Sequence, residues 1–113
     1  MKKVIFILLV SIIAMASVQA QKSKNAKYSI EVNGNCDQCK KRIEKAAFAV
    51  PGVKSAVWDV DTHVLRVIVN EEKTSVDEVE KALAKVGHDA GDKKASDEVY
   101  ESLHGCCKYE RKQ

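Results

Sequence analysis

Between Tyr28 and Asn33 apolar and polar residues take turns. Tyr28, Ile30 and Val32 alternate with Ser29, Glu31 and Asn33, the period of two that marks a strand with one buried face. Asn33-Gly34-Asn35 breaks this pattern. From Cys39 to Val50 the period becomes helical, with Ile43, Ala46, Ala47 and Val50 on one side and Lys40, Lys41, Arg42, Glu44 and Lys45 on the other. Asp37 stands where a helix cap belongs. Pro51-Gly52 stops the helix, because proline disfavours the helical conformation before it and glycine permits a turn. Ala56, Trp58 and Val60 then alternate, Asp61-Thr62-His63 makes a tight connection, and Leu65, Val67 and Val69 alternate back, which predicts a hairpin. Ser75, with Glu78 three residues on, forms a capping box for a second helix whose Val76, Val79, Leu83 and Val86 share one stripe. Gly87 closes that helix. The weakly apolar segment from Asp89 to Lys94 reads as a last strand, and Ser96 caps a short terminal helix carrying Val99 and Leu103.

The predicted order is β, α, β, β, α, β. Short connections and right-handed crossovers turn that order into an α+β, ferredoxin-like open-faced sandwich, with two helices on one face of a four-stranded antiparallel sheet and a short C-terminal helical tail. This arrangement gathers three loops at one end: the first strand-to-helix loop with Cys36 and Cys39, the hairpin with His63, and the loop after the second helix with His88. A chain of 113 residues, 45% hydrophobic and 31% charged, has room for one such core.

The first twenty residues add a destination. Lys2 and Lys3, the apolar stretch Val4 to Ile13 and the small-residue end Ser17-Val18-Gln19-Ala20 predict a secretory signal over 1–20, with Ala16 as an alternative cleavage point. The apolar run is broken by Ser11 and falls short of the roughly 20 residues that span a bilayer, so a retained anchor is disfavoured. No cysteine opens the mature chain, so a lipid anchor is not predicted. The expected product is a periplasmic or otherwise exported protein. It comprises a polar flexible lead-in over 21–27, a domain over 28–94 and an extension over 95–113. Cleavage removes two of the 19 basic residues and none of the 16 acidic ones. The near-neutral remainder argues against nucleic acid as a partner.

The four cysteines form two pairs, Cys36-x-x-Cys39 and the adjacent Cys106-Cys107. A Cys-x-x-Cys astride a helix start lets two sulfurs converge on one ion, and the helix N-terminus with nearby Lys40, Lys41 and Arg42 favours thiolate over thiol. Two thiolates suit a soft ion. They favour Cu(I), then Hg(II) or Zn(II), and supply too few ligands for structural zinc. In an exported chain the same cysteines can instead form disulfides. Cys-x-x-Cys is also redox machinery, so a thiol-disulfide redox protein using Cys36 and Cys39 is the alternative. Against that stand Asp37-Gln38 between the cysteines and the lack of any proline besides Pro51 to face them. A purely structural staple is weak, since so small a loop stabilises little. No hydrolytic constellation is present, and the chain reads as a non-enzyme. His88 is either a third ligand or a helix-end imidazole, and His63 reads as a solvated hairpin residue. The basic side chains of the first helix read as its wet face, or as a dock for an acidic partner. Cys106 and Cys107, with His104, either return to the metal end as added ligands, stand as a separate thiol site, or form disulfides.

Asn33-Gly34-Asn35-Cys36-Asp37-Gln38-Cys39-Lys40-Lys41-Arg42-Ile43-Glu44-Lys45-Ala46, then Pro51-Gly52-Val53 and Val86-Gly87-His88-Asp89-Ala90, resembles the heavy-metal-associated domain family over about residues 28 to 94. That family includes copper chaperones, the amino-terminal modules of metal-transporting P-type ATPases and periplasmic mercury-binding proteins, the last being most similar in layout. The resemblance implies Cys36 and Cys39 as ligands and handover of the ion to a metal-transporting membrane protein or efflux system by ligand exchange. It also implies a monomer or a metal-bridged dimer. Two positions depart from the pattern. Gly34 replaces the methionine that usually anchors the metal loop, which predicts a more mobile loop, and His88 replaces a tyrosine found in many bacterial members.

Overall fold

The computed structural model describes residues 22–111, so the signal read over 1–20 lies outside it. The elements are β1 (Ala26–Glu31), α1 (Asp37–Phe48), β2 (Val53–Trp58), β3 (Val64–Val69), α2 (Val76–Lys85) and α3 (Asp97–Glu101), followed by a single 3₁₀ turn, Gly105–Cys107. The sheet has the order β1-β3-β2, with β3 antiparallel to both neighbours. Leu65 of β3 pairs with Ile30 on one side and Trp58 on the other. The alternation thus brings three buried side chains into one row across the sheet. Cys39, Ile43 and Ala47 of α1 and Val79 and Leu83 of α2 complete that core. Val57 and Arg66 emerge on exposed positions of the sheet.

Local chemistry explains most boundaries. Asp59 Oδ1 accepts from the backbone N–H groups of Asp61 (2.8 Å) and Thr62 (2.9 Å), which folds the hairpin turn and holds His63 at φ 62°. Ser75 Oγ accepts from Glu78 N–H at 3.3 Å to open α2, and Ser96 Oγ accepts from Val99 N–H at 3.3 Å to open α3. β1 begins at Ala26, two positions before the alternation at Tyr28, and Ser23 just upstream exchanges two hydrogen bonds with Glu71.

Two expectations are corrected. Asp37 is the first residue of α1 and not its cap; Cys36 holds the cap position, extended at φ −145°, and makes no side-chain cap bond. Its sulfur is therefore left for other partners. The expected fourth strand over 89–94 is reduced to one bridge, Val32 opposite Ala90. Asn33 N–H donates to Asp89 O (3.0 Å) and Gly91 N–H to Glu31 O (2.9 Å), but Gly91 then turns at φ 55° and Ala90 and Lys93 close on each other. Asp92 and Lys93 offer no apolar side chain for the core, so nothing draws the chain further along the sheet edge.

The residues after this turn return to the core. Leu103, Cys107 and Tyr109 are buried within the same cluster as α1 and β1. Gly87 admits Leu103: at φ 108° a Cβ there would stand 2.8 Å from a Leu103 methyl.

Candidate metal centre

The site is built from two segments far apart in sequence. The first turn of α1 carries Cys36 at its cap and Cys39 at its third residue, and Lys40 N–H donates to Cys36 O (3.0 Å) to start the helix. One helical step brings the two sulfurs to 3.6 Å from each other. Asn35 N–H donates to Cys39 Sγ at 3.4 Å, so the loop backbone also points at sulfur. The second segment is the 3₁₀ turn, which sets Cys107 Sγ 3.7 Å from Cys36 Sγ and Cys106 Sγ 3.9 Å from Cys107 Sγ. The four free thiols thus cluster at the positive end of α1: Cys36, Cys106 and Cys107 lie within 4.8 Å of one another, and Cys39 is 3.6 Å from Cys36.

The four are electrostatically unequal. Burial works against ionising Cys36, but the Cys39 backbone N–H and the neighbouring thiols of Cys106, Cys107 and Cys39 outweigh it and bring its pKa down to about 7. Cys39 is fully buried, and that burial pushes its thiol up to about 12 despite the Asn35 N–H. Burial likewise raises Cys107, against the pull of Cys39 and of the Arg42 guanidinium beside it. Cys106 is exposed and donates to Gln38 Oε1 at 3.1 Å; proximity to Cys36 raises its pKa. The cluster therefore offers one ready thiolate, two sheltered thiols and one at the surface.

The tail is held by groups outside the thiol cluster. Tyr109 donates from its hydroxyl to Gly87 O (2.7 Å) and accepts from Asp89 N–H (2.9 Å). Arg111 makes two parallel bonds to the Asp89 carboxylate at 2.9 and 3.1 Å and lies over the Tyr100 ring. Tyr100 donates to Tyr109 O.

A model of the heavy-metal-associated domain matches residues 30–89. The chain belongs to the heavy-metal-associated domain family. Among its relatives, the copper chaperone CopZ of Staphylococcus haemolyticus is 36% identical over 61 residues, which are 53% of this chain and 90% of that protein. The solved structure of oxidized MerP from Ralstonia metallidurans is 28% identical, covers 59% of this chain and 94% of its own, and superposes with a TM-score of 0.57. The Cu(I)-loaded amino-terminal domain of a potential copper-translocating P-type ATPase from Bacillus subtilis is 27% identical over 65% of this chain and 92% of its own, with a TM-score of 0.57.

This heavy-metal-associated domain departs from the expected pattern in ways the geometry explains. At Gly34 a Cβ would stand 3.0 Å from the Trp58 ring and 3.1 Å from Cys39 Cβ. The indole fills the space a side chain at Gly34 would need, and its Nε1 donates to Val32 O at 3.0 Å. The loop thus rests on an aromatic floor. His88 is fully buried below the loop: Nδ1 donates to Asn33 O at 2.8 Å, the ring stacks on Tyr109, and Nε2 has no partner. It supports the backbone that leads to Cys36 and is not part of the three-sulfur group Cys36, Cys106 and Cys107, whose atoms all lie within 4.8 Å of one another. His63 stacks parallel on Trp58, with ring centroids 5.7 Å apart.

The basic residues of α1 divide. Lys41 and Lys45 are exposed, but Lys40 donates to Trp58 O (2.6 Å) and Glu44 (2.8 Å), while Glu44 accepts from Trp58 N–H. Arg42 turns inward, with Nη1 buried and without a partner. Arg42 was placed beside the Cys36 and Cys39 pair by its position, but Tyr109 and Arg111 were not legible as site residues. The only sequence signal was an aromatic and an arginine, Tyr109 and Arg111, spaced two apart in an otherwise polar tail.

Proposed function

We propose that this chain is an exported, non-enzymatic carrier or scavenger of a soft ion, Cu(I) before Hg(II), which it passes to a metal-transporting membrane protein. Supporting this reading above all is the convergence of Cys36 and Cys39 at 3.6 Å on the helix N-terminus, joined by Cys107 at 3.7 Å from Cys36. Thiolates in that number suit soft monovalent or divalent ions and disfavour hard cations. The names of its relatives, a copper chaperone, MerP and a potential copper-translocating ATPase, point the same way.

Cys36 takes the ion first because it is the readily ionised sulfur. Cys39 follows and gives up its proton to solvent. The ion leaves when an incoming thiolate adds to it before the old sulfur departs, so tight holding and quick transfer are compatible. Export rests on the basic and apolar pattern of residues 1–20 alone.

A thiol-disulfide redox role is the second reading, favoured by the pairing of a Cys36 brought to about 7 with a buried neighbour. Anaerobic titration of the reduced chain with Cu(I), Hg(II) and Zn(II) against competing chelators separates the two. Soft-metal binding that is tight and lost in Cys36→Ser/Cys39→Ser is the carrier's result. Weak binding to all three, together with rapid reduction of a model disulfide, overturns it in favour of the redox role.

A further inference from the structure

The tail thiols do more than crowd the family pair. A single tetrahedral ion with metal-sulfur bonds near 2.3 Å needs four sulfurs mutually about 3.8 Å apart. The arrangement here is a triangle of three sulfurs with the fourth to one side. Cys36, Cys106 and Cys107 form a group within 4.8 Å, and Cys39 stands outside it, 3.6 Å from Cys36. Cys36 therefore belongs both to the two-sulfur pair at the start of α1 and to a three-sulfur group made with the tail.

We propose that the tail builds a second soft-metal site from Cys36, Cys106 and Cys107, so that one chain holds two Cu(I) ions in adjacent positions with the Cys36 thiolate shared between them. The proposal rests on the soft-metal reading above and extends it in stoichiometry and place. A bridging thiolate is ordinary for Cu(I), which accepts two or three sulfurs. Cys36 suits that role by position, 3.6 Å from Cys39 and 3.7 Å from Cys107, and at the cap of α1, where no side-chain cap bond occupies its sulfur.

A second, independent observation concerns charge. Two Cu(I) ions on four thiolates carry a net charge of two negative units, which needs compensation in a partly buried place. The guanidinium of Arg42 lies beside Cys107, and its Nη1 is buried with no partner. That is a cation held at the inner side of the second site, with a donor unspent. The N-terminal turn of α1 supplies the rest. Gln38, reaching from the same turn to Cys106 at 3.1 Å, sets the exposed corner of the group.

Loading involves no electron transfer. Each sulfur that bonds copper releases its proton to solvent, and the copper enters and stays as Cu(I). The two positions differ in access. The pair with Cys39 is sheltered, whereas Cys106 opens the second position to the surface.

Native mass spectrometry of the reduced chain from Gln21 onward, loaded anaerobically with Cu(I) and challenged with a competing chelator, tests this. Two retained ions per monomer are expected. Cys106→Ser, at an exposed position that leaves the core intact, should retain one, and so should Cys39→Ser, which spares the tail group. Cys36→Ser should lose both. Saturation at one ion, unchanged in Cys106→Ser, overturns the second site and leaves the carrier reading standing. A second ion found only in dimers also overturns it. Retention of no ion overturns both.

Discussion

Arg111 grips Asp89 through two parallel hydrogen bonds of 2.9 and 3.1 Å across 22 positions of chain. Asp89 also accepts from Ala95 N–H at 2.7 Å, so one nearly buried carboxylate ties the end of the chain to the loop after α2. Together with the Tyr109 hydroxyl, this contact decides where Cys106 and Cys107 sit.

Loosening that tie should release the tail before it unfolds the sheet. Arg111→Ala leaves the Asp89 carboxylate short of its charged partner and should cost about 2 kcal/mol. Tyr109→Phe strands Gly87 O and Asp89 N–H and should cost about 1 to 3 kcal/mol. In both variants Cys107, normally buried, should become open to alkylation, as followed by peptide mass mapping. Continued protection of Cys107 would show that the tail is held by packing alone.

Restoring the methionine of the family pattern should harm this protein. A side chain at position 34 would meet the Trp58 ring at 3.0 Å, so Gly34→Met is expected to lose about 1 to 3 kcal/mol through overpacking. Trp58→Leu alone opens a void. Combining the two should recover stability beyond the sum of the single changes, and a denaturant-based double-mutant cycle measures that coupling. Simple additivity would mean that the two positions do not share one space.

Alkylation by iodoacetamide should follow Cys36. With its pKa brought down to about 7, its thiolate fraction falls about fivefold from pH 7 to pH 6, and its modification rate with it. Cys39, pushed up to about 12 and fully buried, should stay unmodified over this range. A Cys39 that reacts as fast as Cys36 would contradict the assigned inequality.

Acid should weaken the metal-free fold through His88. Burial holds its pKa below the ordinary 6.5, against the raising effect of the Asn33 bond and with the Arg42 charge adding to the depression. The unfolded chain therefore takes up a proton near pH 6.5 that the fold refuses. Stability is full above that pH and declines as pH drops towards the folded value. His88→Gln should flatten this decline in thermal melts at pH 7.5, 6.5 and 5.5, whatever it does to stability at pH 7.5.

Strands β1, β2 and β3 and helices α1 and α2 were legible because each shows one apolar face to a shared core, and Leu65, Trp58 and Ile30 announce this through alternation alone. Ser75 and Ser96 act within three residues of themselves, so their capping roles are readable locally; the turn was read at Asp61-Thr62-His63, without the Asp59 carboxylate that folds it. The last strand misled because its length fitted a slot in the topology while Asp92 and Lys93 gave it nothing to bury. Cys36 and Cys39 were readable from spacing. The meeting of Cys36 with Cys107 was one of three readings of the tail that spacing could not choose between, since α3 buries none of its own residues and the tail's course depends on Arg111, Tyr109 and Leu103 finding partners in the loop after α2. The sequence placed Arg42 near Cys36 and Cys39, but not its inward turn towards Cys107.

The 71 positions between Cys36 and Cys107 give their closeness a mechanical meaning. An ion held by both sulfurs is a cross-link that closes most of the described chain into a ring. Closing a ring of that size restricts the unfolded chain by an amount worth about 4 kcal/mol in the chain-entropy account. Cargo and clasp would then be the same object: the loaded molecule is fastened by what it carries, and delivery unfastens it.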